Sequence, residues 1–135
     1  MNRQRGASSL LMVLLLLALG SMLLQGLNQQ QRSLLAQTAG ETQAIRETAG
    51  AHSALQWGKT LAWTVHDANA CRDSAAGGWR ACLRIFDDAS ALLIASGGRI
   101  LLWQSGRVEE GVVRFSPHGW SDFCPLTEAN LCRMP

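Results

Sequence analysis

One long apolar run dominates the first third of the chain. No charged residue occurs from Gly6 to Gln31, and the 18 residues from Leu10 to Leu27 are mostly Leu, Met and Val. A helix of that length rises about 27 Å, close to the hydrocarbon thickness of a bilayer. A strand or loop in lipid would leave backbone polar groups unpaired. The pattern therefore predicts a membrane-spanning helix over residues 7–27.

The next segment, residues 28–66, favours a continuation of that helix. It contains no proline and is rich in Gln, Ala, Leu, Glu and Arg, which are good helix formers. Its apolar side chains recur every three or four residues, and those in its outer part would face a sheet: Ile45, Leu55, Trp57, Leu61 and Val65. Gly40, Gly50 and Gly58 interrupt the pattern, so a linker followed by a short separate helix remains an alternative.

Residues 67–135 carry the alternation typical of strands. Asp67 to Gly78 has the composition of a loop. Four short apolar or alternating runs follow: Trp79–Phe86, Ala91–Ala95, Arg99–Trp103 and Val108–Phe115. Gly97-Gly98 predicts a hairpin turn, and Pro117, Gly119 and Pro125 leave the tail as loops. We expect an α+β fold, in which the long N-terminal helix packs on a three- or four-stranded antiparallel meander and the C-terminal loops are held by disulfides.

The four cysteines lie downstream of the apolar run: Cys71, Cys82, Cys124 and Cys132. None forms a C-x-x-C pair, so a zinc or thioredoxin-like site is not indicated. An even number beyond a membrane span indicates disulfides formed outside the cytoplasm. Three pairings are possible, and we favour Cys71–Cys82 with Cys124–Cys132 because each closes a short loop.

Charge argues against nucleic-acid binding. The chain has 12 Lys and Arg against 10 Asp and Glu, and Arg3 and Arg5 precede the apolar run, so the remainder is balanced at 10 against 10. A balanced head offers no basic stripe that could release counterions from a phosphate backbone. We therefore expect no nucleic-acid partner.

The polar residues do not form a recognised catalytic pattern. The candidates for acid–base chemistry are His52, His66, His118, Asp67 and Asp122. No known catalytic spacing joins them, and no nucleophile elbow, Walker loop or metalloprotease pair is present. We therefore predict that the protein is not an enzyme and that it needs no cofactor.

Two groups of oxygen ligands leave a hard cation such as calcium as an open alternative. The first group is Asp67, Asn69 and Asp73, and the second is Asp87 with Asp88. The spacing of both groups lacks the pattern of a calcium loop. The prediction is therefore that no metal is bound.

The flanks of the apolar run set its orientation. Arg3 and Arg5 precede it, and the next basic residue, Arg32, follows it. The positive-inside rule then places residue 1 in the cytoplasm and the cysteines on the other side. Two alternatives stay open: a cleaved secretory signal with small residues at Ala18-Leu19-Gly20, and an uncleaved signal anchor.

The stretch Arg3-Gln4-Arg5-Gly6-Ala7-Ser8-Ser9-Leu10 resembles a type IV prepilin signal, a short basic leader that ends in glycine before an apolar segment. The resemblance implies that a prepilin peptidase cuts after Gly6, removes residues 1–6 as a leader and methylates the new N-terminal residue, Ala7. The apolar run would then remain on the protein as a filament-packing helix.

One position departs from most pilins. The fifth mature position, which is usually glutamate, is Leu11 here. A carboxylate without a partner in an apolar environment costs several kcal/mol, whereas leucine does not. The chain thereby resembles minor pilins of the PilX and GspK type, which implies a subunit at the tip that initiates or caps a fibre. GspK-type pseudopilins are also associated with calcium.

Three further segments resemble a group of enterobacterial prepilin-peptidase-dependent proteins: Ser53–Lys59, Ala91–Ala95 and Phe115–Cys132. The resemblance implies a minor pilin or a type II secretion pseudopilin of the inner membrane, with a periplasmic C-terminal head. Its expected partners are the prepilin peptidase, other minor subunits and a major pilin. The alternative is a single-pass anchored domain that binds or senses something in the periplasm.

Overall fold

The computed structural model describes residues 3–135; of the predicted leader, Met1 and Asn2 lie outside the described residues. Helix α1 spans Arg3–Thr60. Five strands follow: β1 (Cys71–Asp73), β2 (Trp79–Ile85), β3 (Ser90–Gly97), β4 (Ile100–Glu109) and β5 (Val112–Ser121). Short 3-10 helices span Val65–Asp67 and Ala129–Cys132. The predicted α+β fold, with a long N-terminal helix on an antiparallel sheet, is confirmed.

The chain divides after Thr42 into two units. The first contains α1 up to that residue. The second, Gln43–Pro135, contains the last turns of α1, the sheet and the tail. α1 passes the expected boundary at residues 27 and 28 without a break, so the alternative of a linker and a separate helix is wrong.

α1 ends at Thr60, before the predicted limit at residue 66. The indole Nε1 of Trp63 donates a hydrogen bond of 2.7 Å to the carbonyl of Gly58, and the hydroxyl of Thr60 donates one of 2.7 Å to the carbonyl of Trp57. The last carbonyls of a helix have no partner within it. The side chains of Trp63 and Thr60 supply hydrogen-bond donors for two of these carbonyls, and the chain turns away from the helix axis. Thr64 then forms an isolated β-bridge to Val112.

The sheet is a meander of five antiparallel strands in the order β1-β2-β3-β4-β5. The predicted Gly97-Gly98 hairpin is confirmed, and Gly98 has a φ of 72°. The predicted strand over Val108–Phe115 is wrong, because a turn at Glu110 and Gly111 divides it between β4 and β5. The predicted loop from Asp67 to Gly78 also contains a strand, β1.

β5 carries a bulge that the sequence analysis assigned to loops. Gln104 pairs with Trp120 and Gly106 pairs with Phe115, so the segment Ser116–Gly119 lies opposite a single residue of β4. The side chain of Gln104 is 1% exposed, and its Nε2 donates a hydrogen bond of 2.6 Å to the carbonyl of Ser116. Pro117 is tolerated because β5 is an edge strand and the bulge needs no ladder hydrogen bond there.

One face of the sheet packs against α1. Ala51, Ala54 and Leu55 of the helix are at most 1% exposed and share a core with Leu83 and Leu93. Small residues on this side of the helix allow its backbone to approach the sheet closely. A Leu→Ala change in such a core costs roughly 2–5 kcal/mol.

Two of the predicted sheet contacts of the helical segment are wrong. Ile45 is 69% exposed and Val65 is 45% exposed. Leu55 is buried as expected, and Trp57 and Leu61 pack against the core while partly exposed. The packed face of α1 is therefore confined to its last turns.

The second face of the sheet is covered by the C-terminal tail. Leu92 and Ile94 alternate with the helix-facing residues of β3 and share a core with Cys132. The indole Nε1 of Trp103 donates a hydrogen bond of 3.0 Å to the carbonyl of Cys132, and Arg84 donates one of 3.1 Å to the carbonyl of Arg133. The tail is thus a third layer of the head, whereas the sequence predicted only loops.

Candidate functional site

The apolar part of α1 presents its side chains outward on all sides. Thirteen large apolar residues between Leu10 and Leu27 are each more than half exposed, and the least exposed of them, Leu19, still reaches 52%. Within the described residues, α1 is the one helix long and apolar enough to cross a membrane by length and composition. An apolar surface of this size is typical of membrane or protein interaction sites, and the helix is a possible membrane anchor.

The predicted processing residues lie on the first turns of this helix. Gly6, Ala7 and Leu11 are all in α1. A Cβ added at Gly6 would meet no other part of the protein within 4 Å, and Leu11 is 69% exposed. The small residues Ala18 and Gly20, which would serve a secretory signal peptidase, lie inside the same continuous helix. Structure thus places both candidate cleavage positions on one element.

Both favoured disulfides are present. Cys71 and Cys82 face each other across β1 and β2, so this bond fixes the shortest strand to the sheet. Cys124 and Cys132 close a ring in the tail. In the chain-entropy model each bond contributes roughly 2–3 kcal/mol. The second bond also holds the layer that covers the outer sheet face.

Three of the candidate acid–base residues lie on different elements of the head: His52 on α1, Asp67 in the first 3-10 helix and His118 on β5. His52 meets Trp120 edge to face, with ring centroids 5.3 Å apart, and His118 is exposed in the β5 bulge. The carboxylate of Asp67 accepts hydrogen bonds from the backbone and hydroxyl of Thr64. Those bonds, with a weaker contribution from Arg72, lower the pKa of Asp67 below its usual value. Asp67 therefore acts as a structural anion.

Three carboxylates of the two oxygen-rich groups interact with other side chains of the protein. Asp67 and Asp73 each form an ion pair with an arginine, at 3.3 Å and 3.5 Å respectively. Asp88 accepts hydrogen bonds from Ser90, and these lower its pKa. Across residues 3–135 no group of three or more His, Cys, Asp or Glu side chains is placed to hold a metal ion. None of Asp67, Asp73, Asp87 and Asp88 therefore belongs to an acidic cluster of that kind.

Two surface features of the head were not predicted from the sequence. Trp120 and Phe123, near the end of β5, are 52% and 68% exposed. A groove of about 480 Å³ separates the β2–β3 turn from the tail. The two walls of the groove are about 40 residues apart in sequence, so they come together only in the folded chain.

These features define the class of the molecule: an α+β head on a helix that is long and apolar enough to span a membrane. The chain belongs to the DUF2509 family, a family of proteins of unknown function, whose model matches residues 15–132. No curated protein and no solved structure gives a significant match. Gly6, Ala7 and Leu11 precede the matched residues.

Proposed function

We propose that this protein is a minor pilin or minor pseudopilin that helps to initiate or cap a type IV pilus or a type II secretion pseudopilus. In this role it is cut after Gly6, methylated on Ala7 and held in the inner membrane until it joins a fibre. Its head lies in the periplasm. The function is structural, and catalysis is no part of it.

The observation that carries the proposal is the continuity of α1. The helix begins in the basic stretch before Gly6, includes the entire apolar run and ends in the core of the head. A cut after Gly6 leaves this helix joined to the head, whereas a cut after Gly20 would remove most of its apolar part. Apolar surface displayed on every side suits a helix that exchanges lipid neighbours for the helices of other subunits.

Leu11 supports a position at the end of the fibre. A buried glutamate there would require a cation from a neighbouring subunit, and an unpaired charge in an apolar environment costs several kcal/mol. Leucine removes that requirement. A subunit with no neighbour ahead of it is therefore tolerated at the tip.

The test is the intact mass of the natural protein extracted from membranes, compared with that of a Gly6→Leu variant. We expect the natural chain to lack residues 1–6 and to carry one added methyl group. The variant should keep all its residues, because leucine no longer fits a site that takes glycine, and it should not enter fibres. Gly26→Leu, within the span, is the matched control and should be processed normally.

The same spectra separate the alternatives. A full-length natural chain would indicate a single-pass anchor whose head binds or senses a periplasmic molecule. A chain starting at Ser21 and released from the membrane would indicate ordinary secretion. Normal cutting and fibre assembly of Gly6→Leu would refute the pilin proposal directly.

A further inference from the structure

The groove between the β2–β3 turn and the tail has partly buried apolar walls and an acidic rim. Its apolar residues, Phe86, Leu126 and Leu131, are each partly buried. Its volume, about 480 Å³, falls within the range of roughly 300–1,000 Å³ typical of ligand pockets. The ring closed by Cys124 and Cys132 contains the tail side of the groove, so that wall is covalently constrained.

The rim carries three carboxylates: Asp87, Asp88 and Glu128. All three residues are exposed. The ion pairs of the described residues use four other acidic side chains. Asp88 accepts hydrogen bonds from Ser90, and these lower its pKa together with a weaker contribution from Arg107. The three rim carboxylates therefore form no ion pair among the described residues and are open to a cationic partner.

The negative charge of the rim limits the kinds of ligand that the groove could bind. Phosphate-bearing surfaces, such as anionic lipids and nucleic acids, would be repelled by it. The rim carboxylates do not converge as a metal-holding group. A guanidinium or ammonium group can instead interact with carboxylates spaced along a rim, while a neighbouring aliphatic side chain covers the apolar walls.

We propose that this groove is a docking site for a peptide segment of another protein, in which arginine or lysine alternates with an aliphatic residue. Charge complementarity orients the segment, and burial of its aliphatic side chain against Phe86, Leu126 and Leu131 supplies affinity. The site goes beyond the proposed fibre role and does not depend on it.

The direct test uses the full chain in nanodiscs of zwitterionic lipid and a dye-labelled peptide of sequence Leu-Arg-Leu-Arg-Gly. Binding is measured by fluorescence anisotropy, with empty nanodiscs as the blank. We expect saturable binding that weakens as salt is raised, because exposed charges are screened. Peptides with Glu in place of Arg, or Gly in place of Leu, should bind at least about tenfold more weakly.

Charge reversal at the rim locates the site. Asp87→Lys with Glu128→Lys should weaken binding roughly tenfold or more. The matched control, Glu41→Lys with Glu110→Lys, changes the net charge equally at exposed positions that do not line the groove, and it should bind as the natural chain does. Asp87→Asn is a milder second variant, expected to weaken binding about threefold.

Each variant is first checked by intact mass for both disulfides and by thermal midpoint for folding. The proposal is overturned if the natural chain does not bind, if the control pair loses as much affinity as the rim pair, or if the glutamate peptide binds equally well. Processing after Gly6 is scored on the same preparations. If the chain is processed correctly but does not bind the peptide, the docking proposal is refuted and the proposed fibre role is unaffected.

Discussion

At the scale of single residues, two glycines set how closely α1 approaches the sheet. Gly97 of β3 lies directly against the backbone of Gly50 and Ala51. A Cβ at position 97 would collide with the carbonyl carbon of Gly50 and the amide nitrogen of Ala51. A Cβ at position 50 would meet Gly97 at 3.6 Å, an ordinary van der Waals contact. The two glycines are therefore not equivalent although they touch.

This asymmetry predicts opposite effects of the same substitution. Gly97→Ala should lower the free energy of unfolding by roughly 1–3 kcal/mol, since the atoms it meets are backbone and cannot swing aside. Gly50→Ala should leave stability unchanged or raise it by up to about 1 kcal/mol, because alanine is the better helix former. Thermal midpoints of the two variants in the same detergent measure the difference. Equal losses would show that the helix does not approach the sheet through Gly97.

At the scale of elements, the parts of the fold that follow from periodicity were predictable. The apolar length of α1 and the short runs of β2 and β3 suffice to place those elements, and short loop closure selected the correct disulfides. The division between β4 and β5 was missed because Glu110 occupies a turn position with φ of 52°, where Asn or Asp is the usual signal. Gly111 alone did not reveal it.

Two further features were not predicted because they depend on contacts between elements that are distant in sequence. Ile45 fits the helical period, but the sheet reaches only the last turns of α1, so it has nothing to pack against. The β5 bulge depends on the buried amide of Gln104, and that pairing is visible only once β4 and β5 are adjacent. Contacts distant in sequence likewise create the groove of the head.

The structure of the tail depends on its disulfide more than that of any strand does. Cys71–Cys82 joins strands that are also hydrogen-bonded, whereas Cys124–Cys132 closes a segment with little regular structure. Cys124→Ala with Cys132→Ala should therefore increase hydrogen exchange in the tail and around Trp103. We expect Cys71→Ala with Cys82→Ala to affect mainly β1. The two losses of stability should be similar, roughly 2–3 kcal/mol each.

Hydrogen exchange followed by mass spectrometry separates the two pairs by region. If the tail kept its protection without its disulfide, packing of Leu126 and Met134 alone would hold the third layer. Similar exchange patterns in the two variants would mean that the head unfolds as one unit.

At the scale of the whole molecule, the proposed orientation in the membrane can be tested through the disulfides. The head contains all four cysteines, and each is in a disulfide. Such bonds persist in oxidising compartments and are rare in the cytoplasm. Under the proposed topology, the oxidation state of the head reports on which side of the membrane it lies.

Reversal of the flanking charges should therefore change the number of free thiols. Arg3→Glu with Arg5→Glu removes the positive bias before the span, so we expect a fraction of the molecules to insert with the head in the cytoplasm and their cysteines reduced. Arg32→Glu acts on the far flank and should leave orientation unchanged. Alkylation of whole cells under denaturing conditions, followed by intact mass, counts free thiols in each variant. Complete oxidation of the doubly reversed chain would show that Arg3 and Arg5 do not determine the orientation of the helix.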